Sequence, residues 1–300
     1  MQTVNQRFLD SFLLLCFVAA VPALGGQAEV QTGIDDAEKA MKAAQEKSDW
    51  AGVVQDGVAL GSLLSKALTL SKPETFTDAV WTNTLERWRA QRVQAEYACF
   101  DATIRETDPA KKVKLLEPFL AGFEGGDYAK RSLATLAGAY QQSGDKAKAL
   151  ATAKKVLEVE PDNEGLLLML ADNDLSTKQL PSAIEHARAA VKALDGKKKP
   201  EGYSDDAWTA YTKTIAGTAH SIAGQALMLQ DKPEAAIPEL KPAVEMLSGN
   251  NQLAAPAMYN LAYAYGKLKR MVEARAVLAK LLPIPGPYQA LARDLAAKVK

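Results

Sequence analysis

Few side chains in this sequence of 300 residues could carry out chemistry. Its histidines are His186 and His220, and its cysteines are Cys16 and Cys99. A thiol becomes a nucleophile when a base or a positive charge stabilises its anion, and Ala98-Cys99-Phe100 has no histidine nearby in the chain. Cys99 therefore reads as small apolar filler inside a helix. His186 stands beside Ala187 on a face that has to pack, and His220 lies in another helical run, so both read as structural or surface histidines rather than ligands or bases. No histidine and cysteine spacing suits zinc, and no glycine pattern cradles a phosphate. The acids Asp35-Asp36 and Asp205-Asp206 are helix-start residues before they are a catalytic pair. The inventory predicts no catalytic residue, no cofactor and no metal. The rival from that class is an enzyme accessory subunit or an atypical hydrolase that uses Cys99 or a histidine.

The elements that would position any site are helices. Nearly half of the residues are apolar and a quarter charged, and alanine is frequent while aromatic residues are scarce. That composition favours close-packed helices over sheets, since alanine costs least in a helix and lets backbones approach. Lysine plus arginine balances aspartate plus glutamate at 36 each. No net field draws the chain to nucleic acid or to an anionic bilayer, so a nucleic-acid partner is not expected. At the start, Arg7 precedes an apolar run from Ser11 to Leu24. That run is shorter than the roughly 20 residues a bilayer span needs. It suits a secretory signal over residues 1–28, cleaved after Ala28, and implies a periplasmic or secreted protein. Asp10 weakens the charge asymmetry, and the alternative is an uncleaved membrane anchor, the one case in which a membrane is a partner. Leu15 sits where a lipoprotein signal before Cys16 wants a small residue, so lipidation is not expected. Without the leader, Cys99 is the lone cysteine and no internal disulfide can form.

Self-similarity is the most informative pattern. Leu133, Leu136, Ala137, Tyr140, Gly144, Ala149 and Pro161 fall in one helix-turn-helix unit, with Gly144-Asp145 as its turn and Pro161-Asp162 closing it. Small residues stand where helices cross, large ones fill between, and proline ends the second helix. This unit resembles the tetratricopeptide repeat family. A second unit begins at Glu164, with Leu170-Ala171, Ala183, Ala187 and Ala190 in matching places. Gly224, Leu227, Ala236, Leu240 and Ala243 anchor a third; Leu261-Ala262, Tyr265, Ala274, Leu278 and Leu281 anchor a fourth. Between the second and third units lies an insertion. Gly196-Lys197-Lys198-Lys199-Pro200 reads as a solvated loop there, and Ser204-Asp205-Asp206 as the capped start of a lengthened helix. The prolines of 283–287 end the fourth unit. Upstream, helical periodicity spans Ile34 to Lys47, Trp50 to Leu68, and Thr77 to Thr107. The last of these counts Val80, Trp81, Leu85, Trp88, Val93, Tyr97 and Ile104 among its apolar positions. Asp108-Pro109 then breaks the run and opens another helix to Phe123.

The resemblance implies an all-α protein, an α-α superhelical solenoid of helix-turn-helix repeats. Residues 29–129 form a degenerate repeat region and 130–288 the repeat domain. Its units lie at about 130–163, 164–197, 217–250 and 255–288, and 289–300 form a capping helix. It also implies a protein or peptide partner, held in a concave groove lined by first helices. Groove positions are Arg131, Thr135 and Gln141, then Met169 and Asp172, then Ser221 and Gln225, then Tyr259, Asn260, Tyr263 and Lys267. Tyr259 and Tyr263, four residues apart, either face that groove or pack on the next repeat. Relatives that clamp a partner's C-terminal carboxylate use basic and amide residues where this chain has Ala134, Gly138 and Gly165, so that mode is not expected. The expected function is an exported interaction scaffold or adaptor. The alternative is a membrane-anchored assembly factor or accessory subunit of an envelope complex.

Overall fold

Short polar side chains set where helices begin. Asp49, Thr77, Asp108, Asp145, Asn163, Ser204 and Asn250 each accept a hydrogen bond from a backbone N–H two or three residues on, and each precedes a helix. The computed structural model describes residues 25–299, with side chains from Glu29 onward, and all regular structure among them is helical. In chain order the helices are α1 (Gly25–Glu46), α2 (Trp50–Ala67), α3 (Asp78–Arg105), α4 (Pro109–Gly122), α5 (Asp127–Ser143), α6 (Lys146–Leu157) and α7 (Glu164–Ser176). They continue as α8 (Leu180–Ala193), α9 (Asp205–Leu229), α10 (Pro233–Met246), α11 (Asn251–Lys267), α12 (Met271–Leu281) and α13 (Pro287–Lys298). The proposed leader, its cleavage site and Cys16 lie outside the described side chains. Among the described residues, no helix is long and apolar enough to cross a membrane.

A recurring turn shows the repeat more plainly than the sequence does. Ser48, Gly144, Lys178, Asp231 and Lys269 all have positive φ, between 54° and 91°. Each follows the first helix of a hairpin. The N–H of the next residue reaches back five positions to a helix carbonyl, from Asp49 to Ala44, Asp145 to Tyr140, Gln179 to Asp174, Lys232 to Leu227 and Arg270 to Tyr265. This left-handed termination satisfies carbonyls that the helix end would leave unpaired. Five residues beyond each turn stand Val53, Ala149, Ala183, Ala236 and Ala274, all buried. Nine beyond stand Gly57, Ala153, Ala187, Leu240 and Leu278; twelve beyond stand Leu60, Val156, Ala190, Ala243 and Leu281. The hairpin α1–α2 therefore keeps the register of the later ones, although its side chains have drifted. Close approach explains the small residues. A Cβ on Gly224 would lie 2.4 Å from Leu240 Cγ, and one on Gly57 2.4 Å from Cys99 Sγ.

The chain forms two compact units, the first ending at Lys130 and the second beginning at Arg131. In the first, α2 packs against α1, α3 and α4. The packing side of α3 is not its bulky apolar set. Trp88 is buried, but Val80, Val93, Tyr97 and Ile104 are exposed, and Ala95, Ala98, Cys99 and Ala102 face inward. Only small side chains allow a helix to lie this close to α2. The buried Glu96 accepts hydrogen bonds from the N–H groups of Tyr128 (2.8 Å) and Ala129 (2.9 Å), and so caps α5 from another helix.

In the second unit the hairpins α7–α8, α9–α10 and α11–α12 each close on themselves, and each second helix packs on the first helix that follows it, from α6 on α7 to α12 on α13. The first helices α7, α9, α11 and α13 also pack in a row, each against its successor. One core joins α10, α11, α12 and α13 through Leu240, Leu261, Leu278 and Leu295; another joins α7, α8 and α9 through Ala171, Ala187 and Ala223. Ala183 and Ala274 are fully buried and Ala149 nearly so, each within its hairpin. The insertion before α9 is less free than a solvated loop. Lys197 pairs with the buried Glu164, which also accepts from the Tyr211 hydroxyl at 2.9 Å, and Lys199 Nζ lies 2.5 Å from Asp205. A buried carboxylate has to be paired, and this one ties the loop down.

Candidate protein-binding face

The row α7, α9, α11 and α13 presents one side to solvent, and the recurring turn gives a common register for its positions. Asp172, Gln225 and Tyr263 stand six residues before their turns, and Ser221 and Tyr259 stand ten before. The matching place in α7 is Leu168, which reading the sequence alone missed. Nine before the turn, the expected groove positions Thr135, Met169 and Asn260 share a register with Ile222. Met169 is 8% exposed, Asn260 9% and Ile222 6%, so that place points into the packing of the row and Thr135 alone stays exposed. Met169 and Asn260 are thus corrected: the face turns a residue away from where they were placed. Asn260 Nδ2 donates to the Pro256 carbonyl at 2.9 Å, so its amide serves the helix around Pro256. Ser221 is also buried, at 7%, because α9 has neighbouring first helices on both sides. Arg131, Gln141 and Asp172 are exposed and Gln225 is half-buried.

Tyr259 and Tyr263 fall on the exposed side of α11, and the structure divides the two roles left open for them. Their rings lie within 3° of parallel, with centroids 6.3 Å apart. Tyr288, from the first turn of α13, packs on Tyr259 at 5.8 Å with a 48° tilt. Tyr259 is therefore half-covered by the next helix, and Tyr263 remains 40% exposed. Burial, with further contributions from Tyr263, Asp294 and Tyr288, pushes the Tyr259 phenol above its ordinary range, so it stays a neutral donor. Lys267 extends the row: its Nζ lies 5.8 Å from the Tyr263 ring centroid and is ion-paired with Asp231.

The groups first weighed for chemistry sit elsewhere. His186 Nδ1 lies 2.8 Å from Asp174 Oδ2, across the hairpin α7–α8. His220 Nδ1 lies 2.7 Å from Glu239 Oε2, and Arg188 Nε donates to Glu239 Oε1 at 2.8 Å, joining α8, α9 and α10. The hydrogen bond from His220, then the Arg188 guanidinium, hold the Glu239 carboxyl below its ordinary range against the opposing effect of burial. Cys99 is fully buried, with its Sγ 3.9 Å from the carbonyls of Val53 and Val54. Burial pushes its thiol up to about 12, far from a reactive thiolate.

The first unit has an exposed apolar face of its own. Val93, Tyr97 and Ile104 share one side of α3, and the Tyr97 and Phe100 rings each lie 5.3 Å from that of Tyr128. Their helical spacing was legible, but which side of α3 they occupied was not.

The tetratricopeptide repeat family model matches residues 130–163 and 255–283, that is, the hairpin α5–α6 and the hairpin α11–α12 that carries the two tyrosines. These two hairpins are tetratricopeptide repeats. No curated protein matches it. Among solved structures it is similar to the MamA RS-1 ArsTM double mutant, at 16% identity and a TM-score of 0.47, over 64% of this chain and 93% of that one. It is similar to a second MamA structure at 22% identity and a TM-score of 0.41, over 57% of this chain and 85% of that one. It is also similar to the P58(IPK) TPR domain at 16% identity and a TM-score of 0.33, over 92% of this chain and 69% of that one. Repeats of this kind support a protein-interaction scaffold, and the fold is typically non-enzymatic.

Proposed function

We propose that this repeat protein holds an extended segment of a partner protein against the first-helix side of its second unit, with Tyr263 and Tyr259 at the centre of the contact. The observation that supports this reading is the near-parallel pair of tyrosine rings on α11, Tyr263 exposed and Tyr259 half-covered. Aromatic residues of this kind supply apolar area and a hydrogen-bonding hydroxyl at little entropic cost, which is why they are enriched among residues that dominate binding energy. The test is capture of a partner by the full chain. Tyr259→Ala with Tyr263→Ala should weaken capture by about tenfold or more, with an unchanged far-ultraviolet spectrum. Lys154→Ala, an exposed position on α6, should leave capture unchanged. Equal capture by the double variant and the parent removes this face from the interaction.

Export belongs to the same proposal. The apolar run from Ser11 to Leu24 after Arg7 supports a secretory signal and a periplasmic or extracellular location. N-terminal sequencing of exported protein should begin at Glu29. An intact N-terminus in the membrane fraction supports the anchored assembly factor instead.

A further inference from the structure

For the first unit we infer a surface that takes a second copy of this chain: the exposed apolar stripe of α3 pairs antiparallel with the same stripe of another molecule. The surface is separate from the proposed peptide-binding face, and all of its residues precede Lys130.

The stripe is large side chains left in water on a helix whose other side is occupied. Val93, Tyr97 and Ile104 are 52%, 45% and 56% exposed, and Phe100 between them is only half-buried. Ala95, Ala98, Cys99 and Ala102 fill the opposite side, which packs on α2. A helix that is apolar on two sides is normally covered on both, and a contiguous exposed apolar patch marks an interaction surface. The Tyr128 ring, 5.3 Å from those of Tyr97 and Phe100, widens the patch in its middle and leaves Val93 and Ile104 exposed at its ends.

Spacing points to the occupant. Val93, Tyr97, Phe100 and Ile104 are separated by four, three and four residues, the alternation that keeps side chains on one seam between paired helices. The series reads the same in both directions. A copy laid antiparallel therefore sets Val93 against the partner's Ile104 and Tyr97 against the partner's Phe100, and each contact occurs twice about the two-fold axis. That self-complementarity is what a closed dimer requires.

Charge decides the direction. Arg87 and Arg89 stand exposed at the start of the stripe, beside Glu86. Asp101, Glu106 and Asp108 gather at its end, where Arg105 pairs with Asp101 at 2.6 Å. An antiparallel partner brings the basic start of one stripe over the acidic end of the other, whereas a parallel one puts like charge beside like. The seam from Val93 to Ile104 is about 16 Å long. Stable interfaces bury about 1,200–2,000 Å², more than so short a seam covers, so the dimer exchanges reversibly with the monomer.

The experiment is sedimentation velocity of the full chain from about 1 μM to about 1 mM. The average mass should rise with concentration toward that of two chains. Val93→Glu with Ile104→Glu opposes carboxylates at both ends of the antiparallel seam and should weaken association about tenfold or more, with an unchanged far-ultraviolet spectrum. Val93→Glu with Ile104→Lys opposes unlike charges there instead and should recover most of the association. In a parallel pair that second variant fares no better than the first. Tyr259→Ala with Tyr263→Ala should leave the dimer intact, so the dimer and the peptide-binding face stand or fall separately. A mass that stays at one chain throughout overturns the inference, as does equal association by the two-glutamate variant, no recovery with lysine at position 104, or a dimer lost with the two tyrosines.

Discussion

Glu239 shows how one carboxylate can join three helices. It accepts from Arg188 of α8 and pairs with His220 of α9 while belonging to α10. Its partners favour the charged form, so its folded pKa lies below the 4.5 of an unperturbed glutamate. Its contribution to stability is therefore complete above pH 4.5 and disappears as pH falls through the lowered folded value. Glu239→Gln should destabilise the chain at neutral pH by about 1.5–3 kcal/mol, the range for hydrogen bonds to charged groups. Its melting temperature should converge on that of the parent as the buffer is taken below pH 4.5. A gap of constant size across that range would show that the carboxylate charge is not the stabilising feature. The alanines five residues past each turn are a packing matter instead. Ala149, Ala183 and Ala274 are all buried, the last two in hairpins whose helices pack on each other. Leucine at any of them should cost about 1–3 kcal/mol through overpacking, and three unchanged melting curves would refute the register.

At the scale of the element, the hairpin turn is the feature the repeats share most faithfully. Its left-handed residue is glycine only at Gly144 and is otherwise Ser48, Lys178, Asp231 or Lys269. A side chain there brings Cβ close to the following carbonyl, at roughly 1–2 kcal/mol. Glycine relieves that contact but gives the unfolded chain more freedom, which offsets part of the gain. Lys178→Gly is therefore expected to stabilise by about 0.5–1 kcal/mol, read from chemical denaturation. Destabilisation of the variant would mean that the Lys178 side chain makes a contact worth more than the strain.

The chain forms two compact units, and within the second successive helices pack on their neighbours in sequence from α6 onward. Stability in such an arrangement is close to a sum of nearest-neighbour terms. Leu240 sits fully buried in the core of α10, α11 and α12. Leu240→Ala should cost about 2–5 kcal/mol of local stability. Hydrogen exchange of the full chain should show faster exchange in α9 to α12, with α1 to α3 keeping their protection. A uniform loss over all helices would indicate one cooperative block.

Helix limits, the four later hairpins and the small residues at their crossings were legible in the sequence by itself, because caps, prolines and alanine spacing act within a turn or two of the chain. Tertiary structure alone decided which side of each helix is outside. Val93, Tyr97 and Ile104 form a regular apolar stripe, yet α2 accepts only the alanines and Cys99 of α3, so the stripe faces solvent. The groove register was likewise displaced at Met169 and Asn260, since the row of first helices determines which positions are covered. Glu164 met Lys197 and Tyr211 across 33 and 47 residues of chain. Local pattern states what a helix can bury, whereas its neighbours, distant in sequence, determine what it does bury.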